Sequence, residues 1–183
     1  MAADAGSVNY RDLTGSDRVT FNKAILKEVD DLLDLSAFRL LSLAESDKFR
    51  ADNPEYVLPS RFVHRWKGTD DGGVKAKSRL VVLGFKDPHV LQLERSAPTP
   101  TNEGFMTSLQ VCASRRWRAI SSDLKNAFGQ AQKTNRSQKL ATTIPSELLM
   151  VGFKADPRQL LMCETEVYGL ISGPSWLRQT LVS

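Results

Sequence analysis

Apolar residues recur at helical spacing from about Phe21 to Leu35, where Ile25, Leu26, Val29, Leu32 and Leu33 share one side. Lys27, Asp30, Asp31 and Asp34 fill the other, so the pattern predicts an amphipathic helix of about four turns. Residues 1–19 are small, polar and aperiodic and read as a flexible leader. Phe38 to Leu43 fits a strand or a continuation of the helix; around AESDKFRADNPE the chain becomes polar, and Pro54 breaks any helix. Two runs rich in β-branched and aromatic residues follow, Tyr56 to Lys67 and Val74 to Phe85. The segment GTDDGG between them supplies the positive φ values of a hairpin tip, so the two runs predict a β-hairpin.

Pro88, Pro98 and Pro100 mark a long connector. Phe105 to Ala113 then predicts a short helix and Trp117 to Ser122 a strand that feeds the sequence DLKNAF. Lys139 to Ile144 and Leu160 to Val167 read as further strands, with Pro145 as a break between them. The stretch YGLISGPSWLRQTLV reads as a loop entering a final helix. Strand and helix alternate without a regular βαβ rhythm, which predicts an α+β fold.

Composition narrows the class. With 183 residues, 41% hydrophobic and 25% charged, the chain can build one globular core. No apolar run approaches the roughly 20 residues that span a bilayer. The N-terminus has neither a basic start nor an apolar stretch, so the expected location is intracellular, cytoplasmic or nuclear, without secretion or membrane insertion. Cys112 and Cys163 stand apart, without metal-ligand spacing, and read as reduced core thiols. Charge is uneven along the chain. Residues 21–55 carry a net −3, residues 61–86 a net +5 and residues 115–139 a net +6. Two basic stretches fit a groove for a polyanion, and equally well a pair of solvated faces.

Asp123 is the sharpest local feature, a carboxylate after a short apolar run and before Leu124, Lys125, Asn126, Ala127 and Phe128. Such a group can hold Mg²⁺, which prefers hard oxygen ligands. Taken alone it fits a helix N-cap better. Lys75, Lys77 and Arg79 alternate along one run and so project from one face, where they could grip phosphates or simply meet water. His64 reads as a hairpin residue and His89 as a loop residue, neither with a nucleophile motif nearby.

Taken in order, FNKAILKEVDDLL, RFVHRWK, DGGVKAKSRLVVLGF, SAPTPT, AISSDLKNAF and VYGLISGP resemble the reverse transcriptases of copia-type retrotransposons over about residues 21–180. The resemblance implies a right-hand polymerase architecture: fingers over about 20–100, a partial palm over about 101–183, a fingers β-hairpin and an incomplete antiparallel palm sheet. It implies that Asp123 is the first metal-binding, catalytic aspartate and that the Leu124 carbonyl helps to hold the metal, expected to be Mg. Lys77 and Arg79 would contact the nucleotide triphosphate, and Phe128 would pack beneath its sugar. Tyr168, Gly169, Leu170 and Pro174 would support the template and the nucleotide pocket. An RNA template, a DNA primer and deoxynucleoside triphosphates are the implied partners. The chain departs from the pattern at Gly129, where an apolar residue is usual, at Ser78 in KSR, and at Ile171, Ser172 and Trp176 in the last motif. The Y.DD motif that supplies the remaining carboxylates is absent from the 183 residues, so the expectation is a polymerase fragment inactive by itself. A nucleic-acid-binding remnant without catalysis and a recruited protein-interaction module are the alternatives.

Overall fold

The computed structural model describes residues 6–69, 71–93, 100–121, 126–134 and 136–182. It is an α+β fold whose described residues form two sheets and five α-helices. The apolar stripe of α1 (Gly15–Asp34) buries Phe21, Ile25, Val29 and Leu32. It packs on a hairpin made of β4 (Ser60–Gly68) and β5 (Val74–Val82), paired antiparallel from Ser60↔Val82 to Gly68↔Val74. Phe21 meets the ring of Trp66 edge-on at 4.9 Å and that of His64 at 5.6 Å. Strand alternation explains the contact: Phe62, His64 and Trp66 face α1 together with their cross-strand partners Leu80, Ser78 and Ala76.

The N-terminal stretch is ordered from residue 6, which corrects its reading as a loose leader. β1 (Ser7–Val8) adds to the hairpin, opposite Arg65 and His64. Tyr10 and Leu13 are buried, the Tyr10 hydroxyl donates to Asn22 Oδ1 at 2.7 Å, and the Arg18 guanidinium lies 4.0 Å above the Tyr10 ring. Two isolated apolar residues in a polar stretch show no periodicity, yet burying them is enough to pin the segment.

The second sheet has the order β2-β7-β6-β3, from β2 (Phe38–Leu40), β7 (Leu160–Cys163), β6 (Ala141–Thr143) and β3 (Val57–Leu58). It is mixed, not antiparallel throughout, because β3 and β6 run parallel. β3 continues through Pro59 directly into β4, so the hairpin fixes its direction, and β6 reaches it only after a long crossover. The apolar core is continuous from α1 and the hairpin into this sheet, through Leu58, Leu140, Leu161 and Cys163. Burial pushes the Cys163 thiol far up, as fits an inert core residue.

One segment adds an element that the polar pattern did not assign, and another differs from the expectation in kind. Residues 43–52 form α2 (Leu43–Asp52), held by a capping box: the Glu45 amide donates to Ser42 Oγ at 3.2 Å, and the Ser42 amide donates to Glu45 Oε2 at 2.8 Å. Those bonds hold the Glu45 carboxyl down at about 2. Residues 117–121, expected to start a strand, pair with no described strand, and Trp117 and Ile120 are 63% and 90% exposed. Neither described sheet, β1-β4-β5 or β2-β7-β6-β3, includes this run, because β propensity forms a strand only where a partner strand pairs with it. The helix predicted at 105–113 forms as α3 (Asn102–Ser114), capped by Thr101, and buries none of its residues. A short α4 (Ser146–Met150) follows Pro145, and α5 (Gly173–Val182) is the expected final helix, with Pro174 in its first turn.

His64 supplies a pH-sensitive element of this core. It is buried, shares a hydrogen bond with Ser78 Oγ at 2.9 Å through Nδ1, and stacks between Tyr10 and Phe62, while Nε2 has no partner. Burial lowers its pKa from the ordinary 6.5, against a weaker opposing pull from Glu147. The unfolded chain therefore takes up a proton near 6.5 that the folded chain refuses, and stability present above that pH is lost as the pH falls toward the lowered folded value. Thermal melts over this range should show Tm falling with pH, and the paired substitution His64→Phe with Ser78→Ala should flatten that slope.

Candidate functional site

The hairpin presents one strongly basic face. Alternation puts Lys75, Lys77 and Arg79 opposite to the buried Ser78 and Leu80, as the sequence predicts. Register adds what the sequence pattern alone does not give: Lys77 stands directly across from Arg65, and Lys75 from Lys67. Like charges opposite one another on a sheet face are destabilising. Lys67, Lys75, Lys77 and Arg79 make no ion pair within 4 Å among the described residues, and Glu28 acts on Lys77 and Arg79 only through its field. Partial burial and the neighbouring charges of Arg79 and Lys67 hold the Lys77 amine below its ordinary range.

Two turns bring aromatic rings to this face. The loop at 167–170 crosses the end of β5, where the Val82 amide donates to the Tyr168 carbonyl at 2.9 Å. Gly169, at φ +95°, and Gly84 pack backbone to backbone there. A Cβ on Gly169 would run into the Val82 carbonyl, and one on Gly84 into the Gly169 carbonyl. This close approach explains the glycines of the LGF and YGL motifs, and it delivers Tyr168 to the basic face. Arg79 lies over the Tyr168 ring, 4.8 Å from its centroid. The second turn, 126–130, starts at Asn126 with φ 51° and carries Phe128, which meets Tyr168 edge-on at 4.9 Å. Gly129 is buried, and a Cβ there would come within 3.2 Å of Leu35, just past α1, and 3.5 Å of Leu32 in α1, so the apolar residue that the resemblance favours would crowd the end of that helix.

These groups share a cleft of about 650 Å³. Its walls are one face of α1 (Ala24, Lys27, Glu28 and Asp31), the basic strand face, the 126–128 turn and Tyr168. Of the expected site residues, Lys77, Arg79, Phe128 and Tyr168 line it together. Gly169 and Leu170 act behind it, as the crossing point and as a buried anchor, and Pro174 lies on α5 outside the lining. Asp123 and Leu124 lie outside the described residues. Among the described residues, no three His, Cys, Asp or Glu side chains gather to hold a metal ion. The two carboxylates of the cleft do not make a magnesium site either: Asp31 takes the Lys27 ammonium at 3.0 Å, and Glu28 takes a backbone hydrogen bond from Leu80.

Sequence reading missed three contributors. Lys67 enters through register, which only the fold provides. Glu28 left a usable signal, an acid at the i+3 position of the stripe Ile25, Val29, Leu32. Arg136 gave none, because its partners are far apart in sequence. It donates to Asp87 Oδ2, Glu166 Oε1 and Ser172 Oγ, each at 2.6 Å, and clasps the end of the hairpin to the turn that carries Tyr168. Ser172, a departure from the polymerase motif, is the hydroxyl that completes this clasp.

Relieving the cross-strand repulsion should stabilise the fold. Lys75→Gln is expected to raise Tm by about 1–4 °C at low ionic strength. In differential scanning fluorimetry the gain should shrink as salt screens the face; an equal gain in high salt would contradict a charge origin. No protein-family model, curated protein or solved structure matches the chain.

Proposed function

We propose that the cleft binds the phosphates and sugar of a nucleoside triphosphate, and that the chain is a fingers and partial-palm unit of the kind found in RNA-directed DNA polymerases of copia-type retrotransposons. One observation carries the reading. Lys77, Arg79, Phe128 and Tyr168, which the motif resemblance singles out from distant parts of the chain, line a single cleft. The chemistry of that set suits the ligand. Lys77 and Arg79, with Lys67 and Lys75 beside them, offer charge-assisted hydrogen bonds to phosphate oxygens. The Phe128 and Tyr168 rings give a sugar or base an apolar surface, with Arg79 already stacked on one of them. An anion seated there would offset the like charges of Lys75 and Lys67, which stand directly across from each other.

The proposal stops at binding. Template RNA and primer DNA belong to it as partners of the nucleotide, and Asp123 as the carboxylate that the motif resemblance assigns to magnesium. A single carboxylate does not hold two ions side by side, and the described residues add no ligand set, so no transfer step is assigned to this chain.

Calorimetric titration with dATP at low salt tests the reading. Lys77→Gln and Arg79→Gln are each expected to weaken binding by about ten- to a hundred-fold, as loss of a charged hydrogen bond does. The affinity should also fall steeply with salt. Unchanged affinity in both variants, with folding verified by circular dichroism, would place the nucleotide elsewhere. In primer extension with Mg²⁺ the chain alone should incorporate nothing; incorporation that Asp123→Ala abolishes would overturn the binding-only assignment.

A further inference from the structure

Glu28 is the one acid that faces the cations of the cleft from within the apolar stripe of α1. It lies nine-tenths buried at 9% exposure, and its Oε1 has no hydrogen-bond partner. No ion pair within 4 Å engages it among the described residues, although Lys77 and Arg79 act on it through their fields. A buried carboxylate with one oxygen left unpartnered is costly to keep charged. Here Arg79 and Lys77, the cations that a ligand anion would occupy, sustain the charge together with one hydrogen bond from the Leu80 amide.

We propose that the cleft is a coupled anion–proton site, in which an anion seated on Lys77 and Arg79 is bound together with a proton taken up from solvent by the Glu28 carboxylate. This rests on the reading of the cleft as a phosphate-binding pocket and adds what that pocket requires of its own acid. The free site holds Glu28 as an internal counter-ion of Lys77 and Arg79. An arriving anion takes over that role, places a second negative charge beside the carboxylate and removes water from it. Each effect favours the neutral acid. The carboxylate accepts one proton, no covalent bond to the ligand forms, and the proton returns to solvent when the anion leaves.

The other charged groups around Glu28 set the limits of the effect. On its own helix Asp31 adds a like charge one turn away and Lys27 pairs with Asp31. From the hairpin come Lys77, Arg79, Lys75 and Lys67, and from the facing turns the described lining residues are the uncharged Asn126, Ala127, Phe128 and Tyr168. Burial already raises the Glu28 pKa above its ordinary 4.5, against the pull of Arg79 and Lys77, so a further rise on binding falls toward neutral pH. Lys77, whose pKa is lowered, can also take up a proton when an anion arrives, but it does so on the alkaline side. The two sources therefore separate by pH and by substitution.

Trimetaphosphate is a suitable probe, because its charge does not change over the relevant range and it carries no base or sugar. Calorimetric titration of the full chain near pH 6.5, in buffers of different ionisation enthalpy, reads the protons taken up per anion bound. The expected result is an uptake between zero and one proton, with an affinity that falls by up to about ten-fold per pH unit as the pH rises. Glu28→Gln, which keeps the shape, should abolish the uptake near pH 6.5 and leave any alkaline uptake by Lys77 in place. Carbon-13 NMR of the Glu28 carboxyl in the unsubstituted chain gives a second reading, independent of how the variant folds: its titration midpoint should move up when the probe binds. Binding with no uptake, with uptake unchanged in Glu28→Gln, or with an unmoved midpoint overturns the coupling while the phosphate reading stands. Failure of trimetaphosphate to bind overturns both.

Discussion

Strand β5 is the constraint on which the rest of the molecule depends, because it must satisfy three neighbours at once. Its inner side chains, Ser78, Leu80 and Val82, close the core under α1. Its last amide, on Val82, takes the Tyr168 carbonyl and so ties the hairpin to the segment that follows β7. Of its outer side chains, Lys75 and Lys77 face Lys67 and Arg65 across the strand pair, and Arg79 faces Val63. Packing and backbone bonding favour the strand, while its outer face opposes it electrostatically. This like charge on one sheet face is the feature on which the proposed anion site rests.

The close crossing of Gly84 and Gly169 converts this strand into a site. Only backbone without Cβ atoms passes there, and the loop that passes brings Tyr168 within reach of Arg79 and Phe128. The Arg136 clasp holds the same region from the other side, by joining Asp87 just past the hairpin to Glu166 and Ser172 around the aromatic residue. Breaking it would strand two buried carboxylates without their cation, which is far costlier than losing a surface pair.

Much of this was legible from residues alone, for identifiable reasons. The hairpin declares itself because period-two alternation and a Gly-rich tip are both local signals. The α1 stripe from Phe21 to Leu32 is likewise a local periodicity, and alternation alone put Lys77 and Arg79 on one face. Phe128 and Tyr168 were reached through motif resemblance, since nothing in their spacing brings their rings together. Features set by long-range geometry stayed hidden. The parallel pairing of β3 with β6, the cross-strand meeting of Lys67 with Lys75 and the clasp of Arg136 all join residues distant in sequence. Local propensity was also insufficient at Trp117 and Ile120, whose strand-like run pairs with no described strand and stays exposed. At α2 the reverse held: the Ser42–Glu45 cap was a local signal, obscured by a helix too polar to show periodicity.

The central claim, that the basic strand face and the two aromatic turns form one nucleotide pocket, is tested most directly by photocrosslinking. The chain is irradiated with an azido-substituted dATP, digested with trypsin and mapped by mass spectrometry. The account predicts labelling confined to the peptides 126–133 and 159–178, which carry Phe128 and Tyr168, and competed away by unmodified dATP. Label on surface peptides such as those of α2, or label that dATP does not displace, would contradict it.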